Sequence, residues 1–299
     1  MNDKKQKLGF IGIGNMGWGM AANLVKAGFD VAVFDTDAQR TERFARENDG
    51  LGTTRLSDLA DRAVIVTMLP TGQVVRQVFT EGESGGLAEL LAPGAIVIDM
   101  SSSDPVGTRE LGHALAQRGF VLIDAPVSGG VVRANAGTLS IMYGSDDAVA
   151  LEQILPVLRA MGDRLFATGA LGCGHAMKAL NNYVAATTFA ATAEALLIGE
   201  RFGLDPGTMV DILNVSTGRN FHTDMVMKEH VVGGKFATGF AVGLLAKDVK
   251  IAADLAAAVG QPAPILDLVR DRWAYARDAL GASRDNTEAI LAWKTQDAQ

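Results

Sequence analysis

One cysteine, Cys173, stands in a chain of 299 residues. An intrachain disulfide is therefore excluded, and so is a four-cysteine zinc site. A reducing compartment fits a lone thiol best, so a cytoplasmic location is expected. No stretch approaches the roughly eighteen consecutive apolar residues of a membrane span, and no membrane partner is expected. The charged start, Met1 to Lys7, leads into an apolar run broken by Gly9, Gly12 and Gly14, which makes a poor secretion signal. Positive charge is also short: 27 Lys and Arg against 34 Asp and Glu leave a net charge of -7. Nucleic-acid binders usually need a basic surface to displace counterions from phosphates, so that partner is not expected. An anionic substrate would have to find local positive charge. His113, His175 and His230 show no metal-ligand spacing, and no metal is expected.

What is present is apolar and patterned. Hydrophobic residues make up 48% of the chain and charged residues 20%, the balance of a packed protein. Single cores tend to split near this length, which predicts two domains. β-Branched runs recur at Leu8 to Ile13, Val31 to Phe34, Ala63 to Leu69, Ala95 to Ile98 and Phe120 to Ile123, with helical segments between them. That alternation predicts an α/β domain with a parallel sheet, extended by Leu139 to Tyr143 and Arg164 to Ala167. The boundary is expected at residue 168, before the Gly-rich stretch Gly169 to Gly174. Residues 169–299 then form an all-α domain entered by one long helix, His175 to about Phe202, which stops at Gly203 and Pro206. The frequent alanines there suit close helix packing and a subunit interface, so a homodimer or homotetramer is expected.

Gly12, Gly14 and Gly17 follow the first strand and open a helix, the context in which this spacing carries meaning. The first glycine permits a tight turn, the second lets the backbone approach a pyrophosphate, and the third lets helix and strand pack closely. Asn15 and Met16 fall at the helix N-terminus, where phosphates bind. Asp35 ends the second strand, where an acidic group would hold a ribose 2′-hydroxyl and repel a 2′-phosphate. NAD is therefore preferred and NADP is possible, since Arg40 lies close enough to alter the local charge. Ligands of open parallel sheets sit outside the carboxyl ends of strands, which adds Leu69, Pro70 and Ser102 as cofactor neighbours.

Two later segments carry candidate chemistry. The turn Ser128-Gly129-Gly130 can aim a hydroxyl and backbone N–H groups at a carboxylate. Lys178 and Asn182 share a helix face. Beside a hydride-transfer site, Lys178 could exchange a proton with the substrate oxygen if burial lowers its pKa. Taken alone, the same pair reads as a solvated helix edge.

Phe10 to Gly17 with Met20 and Asn23, Asp124 to Gly130 with Gly137-Thr138-Leu139, Gly172-Cys173-Gly174 with Lys178, Asn181 and Asn182, and Lys247-Asp248 together resemble the β-hydroxyacid dehydrogenase family. The resemblance runs in order over nearly the whole chain. It implies a Rossmann-type doubly wound parallel sheet domain, an all-α C-terminal domain and an active site in the cleft between them. It also implies that Lys178 is the catalytic acid/base, that Ser128, Gly129, Gly130 and Asn182 bind the substrate carboxylate and hydroxyl, and that Lys247 closes over the cofactor. Ser102 stands where the family commonly has threonine, which keeps the hydroxyl. The implied reaction interconverts a small 3-hydroxy acid, such as 3-hydroxyisobutyrate or glycerate, and its semialdehyde. Asn181-Asn182 differs from the His-Asn of 6-phosphogluconate dehydrogenases, and Lys178 differs from the imine reductases, which replace the lysine. Reduction of an imine or phosphosugar acid is thus the less favoured chemistry, and a non-catalytic dinucleotide binder is the alternative outside catalysis. The segments Thr217 to His222 and Lys235 to Phe240 name no substrate.

Overall fold

Runs such as Leu8 to Ile13 are too apolar to leave either face in water, so the strands they form need helices on both sides. The computed structural model describes residues 6–81 and 85–296. Strands β1 (Lys7–Ile11), β2 (Asp30–Phe34), β3 (Leu51–Thr53), β4 (Val64–Thr67), β5 (Ile96–Asp99) and β6 (Val121–Asp124) come first. Helices α1 (Asn15–Lys26), α2 (Ala38–Asn48), α3 (Gly72–Thr80) and α4 (Pro105–Ala116) lie between them in sequence. Then follow β7 (Val127–Ser128), α5 (Gly130–Ala136), β8 (Leu139–Gly144), α6 (Ala148–Met161), β9 (Gly162–Gly169) and α7 (Cys173–Phe202).

Among the described residues these strands form one sheet in the order β3-β2-β1-β4-β5-β6-β8-β7, with β9 paired to β8. Pairing is parallel from β3 through β6, as the alternation of strand and helix predicts. Beyond β6 the sheet is mixed: β8 runs antiparallel to both β6 and β7. A parallel return needs a crossover of about a dozen residues, and the link Gly129 to Thr138 is too short to make one. α6 supplies that length again, and β9 runs parallel to β8.

Side chains alternate between two cores. Leu8, Phe10, Val64, Val66, Ile96 and Ile98 join Leu24, Phe44 and Ile154 in one cluster. Ile11, Ile65 and Val97 join Val75, Phe79 and Leu111 in another. Each such side chain, once fully buried, contributes roughly 1.5–3 kcal/mol, so the sheet is the main anchor of this unit.

The chain divides into two compact units, Met1–Lys178 and Ala179–Gln299. The division falls within α7 rather than before the Gly-rich stretch, where the sequence places it. The reason is local: the buried carboxylate of Asp124 accepts hydrogen bonds from the N–H groups of Gly172 and His175, tying the start of α7 to the end of β6.

The second unit contains the rest of α7, α8 (Pro206–Asn214), a π-helix over Thr223–Val232, α9 (Val242–Ala258), α10 (Pro264–Leu280) and α11 (Ala289–Gln296). It is helical, as composition predicts, with only an isolated bridge between Ala241 and Asp285 among the described residues. Its core is aromatic. Trp273 and Trp293 meet edge to face with centroids 5.2 Å apart, and Phe189 packs against both. Both indole N–H groups are satisfied, by the carbonyls of Ala186 and Arg272. No helix among the described residues is long and apolar enough to cross a membrane.

His222 packs edge-on against Phe189 in this core and shares a hydrogen bond between its Nδ1 and Thr188 Oγ1. Burial pushes its pKa down from 6.5 to about 4. A depressed histidine favours the neutral folded form, so its stabilisation is complete above pH 6.5 and is lost as the pH falls towards 4. The loss across that window is expected to reach about 3 kcal/mol. Urea midpoints measured at several pH values test this. His222→Gln should flatten the dependence in that window, and an unchanged slope would locate it elsewhere.

Candidate active site

The turn after β1 is built so that only glycine serves at two positions. Gly12 has φ +94°, and a Cβ there would run into the carbonyl oxygen of Met68. A Cβ on Gly17 would overlap the carbonyl oxygen of Gly12 and touch the Phe10 ring. Gly14, at the N-cap of α1, differs: a Cβ there would meet nothing within 4 Å. Open space beside a helix N-terminus with no acidic residue in its first turn suits an anion. Asn15 and Met16 form that first turn.

Asp35 follows β2 and is 8% exposed. Its carboxylate accepts from the N–H groups of Ile13 and Asp37, both at 3.0 Å. Arg40 Nη1 lies 3.1 Å from each of its oxygens. The N–H of Ile13 thus links the glycine turn directly to Asp35. These residues suit a dinucleotide: the open α1 N-terminus could take a phosphate, and the Asp35 carboxylate could accept from ribose hydroxyls. Leu69 and Pro70 follow β4, and Ser102 follows β5. The turns are joined where Leu69 N–H donates to Ser101 Oγ at 2.9 Å.

Ser128 closes β7, pairing with Ser140 of β8. Gly129 and Gly130 have φ +135° and +66°, conformations that exclude larger residues without strain, and both are exposed. Arg133, which the sequence did not single out, lays its aliphatic stem against Gly129: a Cβ on the glycine would meet Arg133 Cδ at 2.5 Å. A cation beside this turn offsets part of the chain's negative balance.

Lys178 is half-buried on the second turn of α7, in the same compact unit as the glycine turn, Asp35 and Ser128. Asn182 lies one turn further along the helix, in the helical unit. There Asn182 Nδ2 donates to Asp248 Oδ2 at 2.6 Å, and Lys247 Nζ lies 3.1 Å from Asp248 Oδ1. Asn181 Nδ2 donates to Asn182 Oδ1 at 3.1 Å. Asp248, 3% exposed, therefore joins the two residues expected to touch substrate and cofactor. The signal for it was a carboxylate within a helix otherwise rich in Ala, Leu and Val, since a buried Asp requires a partner. Among the described residues no group of three or more His, Cys, Asp or Glu is placed to hold a metal ion.

Residues 7–169 match the NAD binding domain of 6-phosphogluconate dehydrogenase, and residues 172–293 match the NAD-binding domain of NADP-dependent 3-hydroxyisobutyrate dehydrogenase. The chain is also 34% identical to 2-(hydroxymethyl)glutarate dehydrogenase of Eubacterium barkeri over 97% of its own length and 95% of the relative's. The chain belongs to the β-hydroxyacid dehydrogenase family. Within the family it is 36% identical to 3-hydroxyisobutyrate dehydrogenase of Pseudomonas aeruginosa, over 88% of this chain and 90% of that one. Its fold is similar to the solved 3-hydroxyisobutyrate dehydrogenase of Mycobacterium tuberculosis with L-serine, at 33% identity and a TM-score of 0.86, covering 97% and 99% of the two chains. Family membership makes it an NAD(P)-dependent oxidoreductase acting on the hydroxyl groups of hydroxy acids.

Proposed function

We propose that this enzyme interconverts a small 3-hydroxy acid and its semialdehyde, with Lys178 as the acid/base and NAD as the preferred cofactor. The observation that carries this reading is Lys178, half-buried on α7, in one compact unit with the nucleotide turn and the Ser128-Gly129-Gly130 turn. In oxidation the Lys178 amine takes the hydroxyl proton as the carbon–oxygen double bond forms; in reduction its ammonium returns that proton. A nicotinamide cofactor would provide the hydride acceptor or donor for this exchange. Ser128, the backbone of Gly129 and Gly130, and Asn182 hold the carboxylate and the hydroxyl. Asp248 keeps the Asn182 amide and the Lys247 ammonium oriented. The lone thiol suits work in the cytoplasm, and the exposed apolar residues of the helical unit, among them Phe202, Ile212 and Val215, suit a homodimer or homotetramer.

The test is NAD reduction with 3-hydroxyisobutyrate, L-serine and 2-(hydroxymethyl)glutarate, together with NADH oxidation by the corresponding semialdehydes. Saturable turnover of at least one acid is expected. NADH binding by calorimetry with no turnover of any of them would instead favour a dinucleotide-binding protein without catalysis.

Cofactor preference rests on Asp35. Asp35→Ala is expected to raise the NADPH-to-NADH ratio of kcat/KM by about tenfold, equivalent to ~1.4 kcal/mol, because a 2′-phosphate no longer faces the carboxylate. Arg40→Ala is expected to move the ratio the other way, since it removes the cation that offsets Asp35. If both variants keep the parent ratio, the pair does not face the ribose.

A further inference from the structure

The start of α7 rests on a buried polar cluster to which neither cofactor nor substrate binding assigns a part. Asp124, at the end of β6, is completely buried. Its Oδ1 accepts from Gly172 N–H and its Oδ2 from His175 N–H, each at 2.7 Å. Glycines close around it: a Cβ on Gly144 would meet Asp124 Oδ1 at 2.7 Å, and one on Gly174 would meet Oδ2 at 2.8 Å. The His175 ring, 1% exposed, lies between two carboxylates, with Nδ1 3.9 Å from Asp124 Oδ2 and Nε2 3.7 Å from Asp99 Oδ2. Thr108 of α4 shares a hydrogen bond with Nδ1 at 2.8 Å, and Arg109 of the same helix donates to the Leu171 carbonyl at 2.9 Å. Asp99 is itself held by Thr67, Ser101 N–H and Ser103.

Burying a carboxylate this completely is costly unless each oxygen is satisfied, and both oxygens here are spent on the backbone that opens α7. The same desolvation raises the pKa of Asp124, opposed by His175 and by the two N–H donors. A carboxylate so enclosed has no route to substrate. What it does fix is the distance between two chain segments. It lies on the strand that leads into Ser128, and it grips the helix turn preceding Lys178.

We propose that Asp124 and His175 are positioning residues, which seat the first turn of α7 so that the Lys178 amine is held at the height of the Ser128-Gly129-Gly130 turn. The proposal rests on the reading of Lys178 as acid/base. A misplacement of about 1 Å in a reacting group can cost around a hundredfold in rate. Asp124→Asn replaces one acceptor with a donor facing a backbone N–H, which loosens the seat without changing side-chain volume.

A double-mutant cycle tests this, with single-turnover hydride transfer measured on whichever of 3-hydroxyisobutyrate, L-serine and 2-(hydroxymethyl)glutarate is turned over best. Asp124→Asn is expected to lower the rate by about 30- to 100-fold, and His175→Gln by about fivefold. Each effect should shrink to less than about twofold in the Lys178→Ala background, because a residue acting through Lys178 has nothing left to position. NADH affinity, read by calorimetry, should stay within about twofold throughout. Equal losses in both backgrounds, or no loss in either variant, would overturn the proposal. Should Asp124→Asn fail to fold, the His175→Gln cycle decides by the same criterion. An unimpaired Lys178→Ala enzyme would remove the acid/base reading and this proposal with it, whereas an impaired Lys178→Ala beside an unaffected Asp124→Asn and His175→Gln removes this proposal alone.

Discussion

Replacing Lys178 by alanine is expected to lower kcat by about 10²- to 10⁴-fold, the usual contribution of a positioned general acid or base. NADH affinity should change by no more than about twofold, because the residues proposed to hold the nucleotide, on the turns after β1, β2, β4 and β5 and at Lys247, do not include Lys178. Alanine also removes a charge, so a second variant separates proton transfer from electrostatics. Lys178→Arg keeps the cation but cannot give up its proton near neutral pH, and it is expected to be nearly as slow as alanine. Steady-state rates across pH, with NADH binding measured in parallel, check both points. An active Lys178→Arg enzyme would mean that the residue serves as a charge and another group moves the proton.

The second large effect is expected from Gly17→Ala. The added methyl group would overlap the carbonyl oxygen of Gly12, and backbone cannot swing aside as a long side chain can. Relief requires α1 to lift from β1, which would disturb the packing of Phe10 and Met20, both fully buried. Overpacking of this severity is expected to cost at least about 3 kcal/mol. The same movement carries the N–H groups of the first turn of α1 away from the proposed phosphate site, so the NADH dissociation constant should rise at least about tenfold. Urea unfolding and calorimetry read the two effects separately. Gly14→Ala is the control: the space around Gly14 is open, so stability should be almost unchanged and only nucleotide binding should suffer. A stable Gly17→Ala protein with parent affinity would refute the close approach.

Much of the sheet unit was legible because its signals are local. β1, β2, β4, β5, β6 and β8 are largely apolar runs bounded by turn residues, and Gly12 to Gly17 sits at the junction of the first strand and helix. β3 and β7 escaped because three residues, or two, carry no period to detect. The segment Thr223–Val232 was unreadable for another reason: a π-helix places its apolar residues at neither of the spacings used to recognise helix or strand. The turn glycines and Lys178 could be named as candidates, but Lys178 alone was indistinguishable from a solvated lysine, and the acid/base reading was favoured only by the wider resemblance. The Asp99–His175–Asp124 cluster had no local signature. His175 invited only a test for metal spacing, and its actual neighbours come from strands and a helix far away in sequence.

The sheet order has a practical bearing on how this protein can be altered. Every sheet-unit residue proposed here for nucleotide or substrate lies at or just beyond the carboxyl end of a strand, or within the first two turns of the helix that follows. The loops at the opposite ends, around Gly28 before β2, Gly94 before β5 and Gly119 before β6, hold none of them, and Gly28 and Gly94 border open space. Reporter tags, short insertions and surface immobilisation therefore belong on that far rim, and libraries seeking a new acid or a new cofactor belong on the near one.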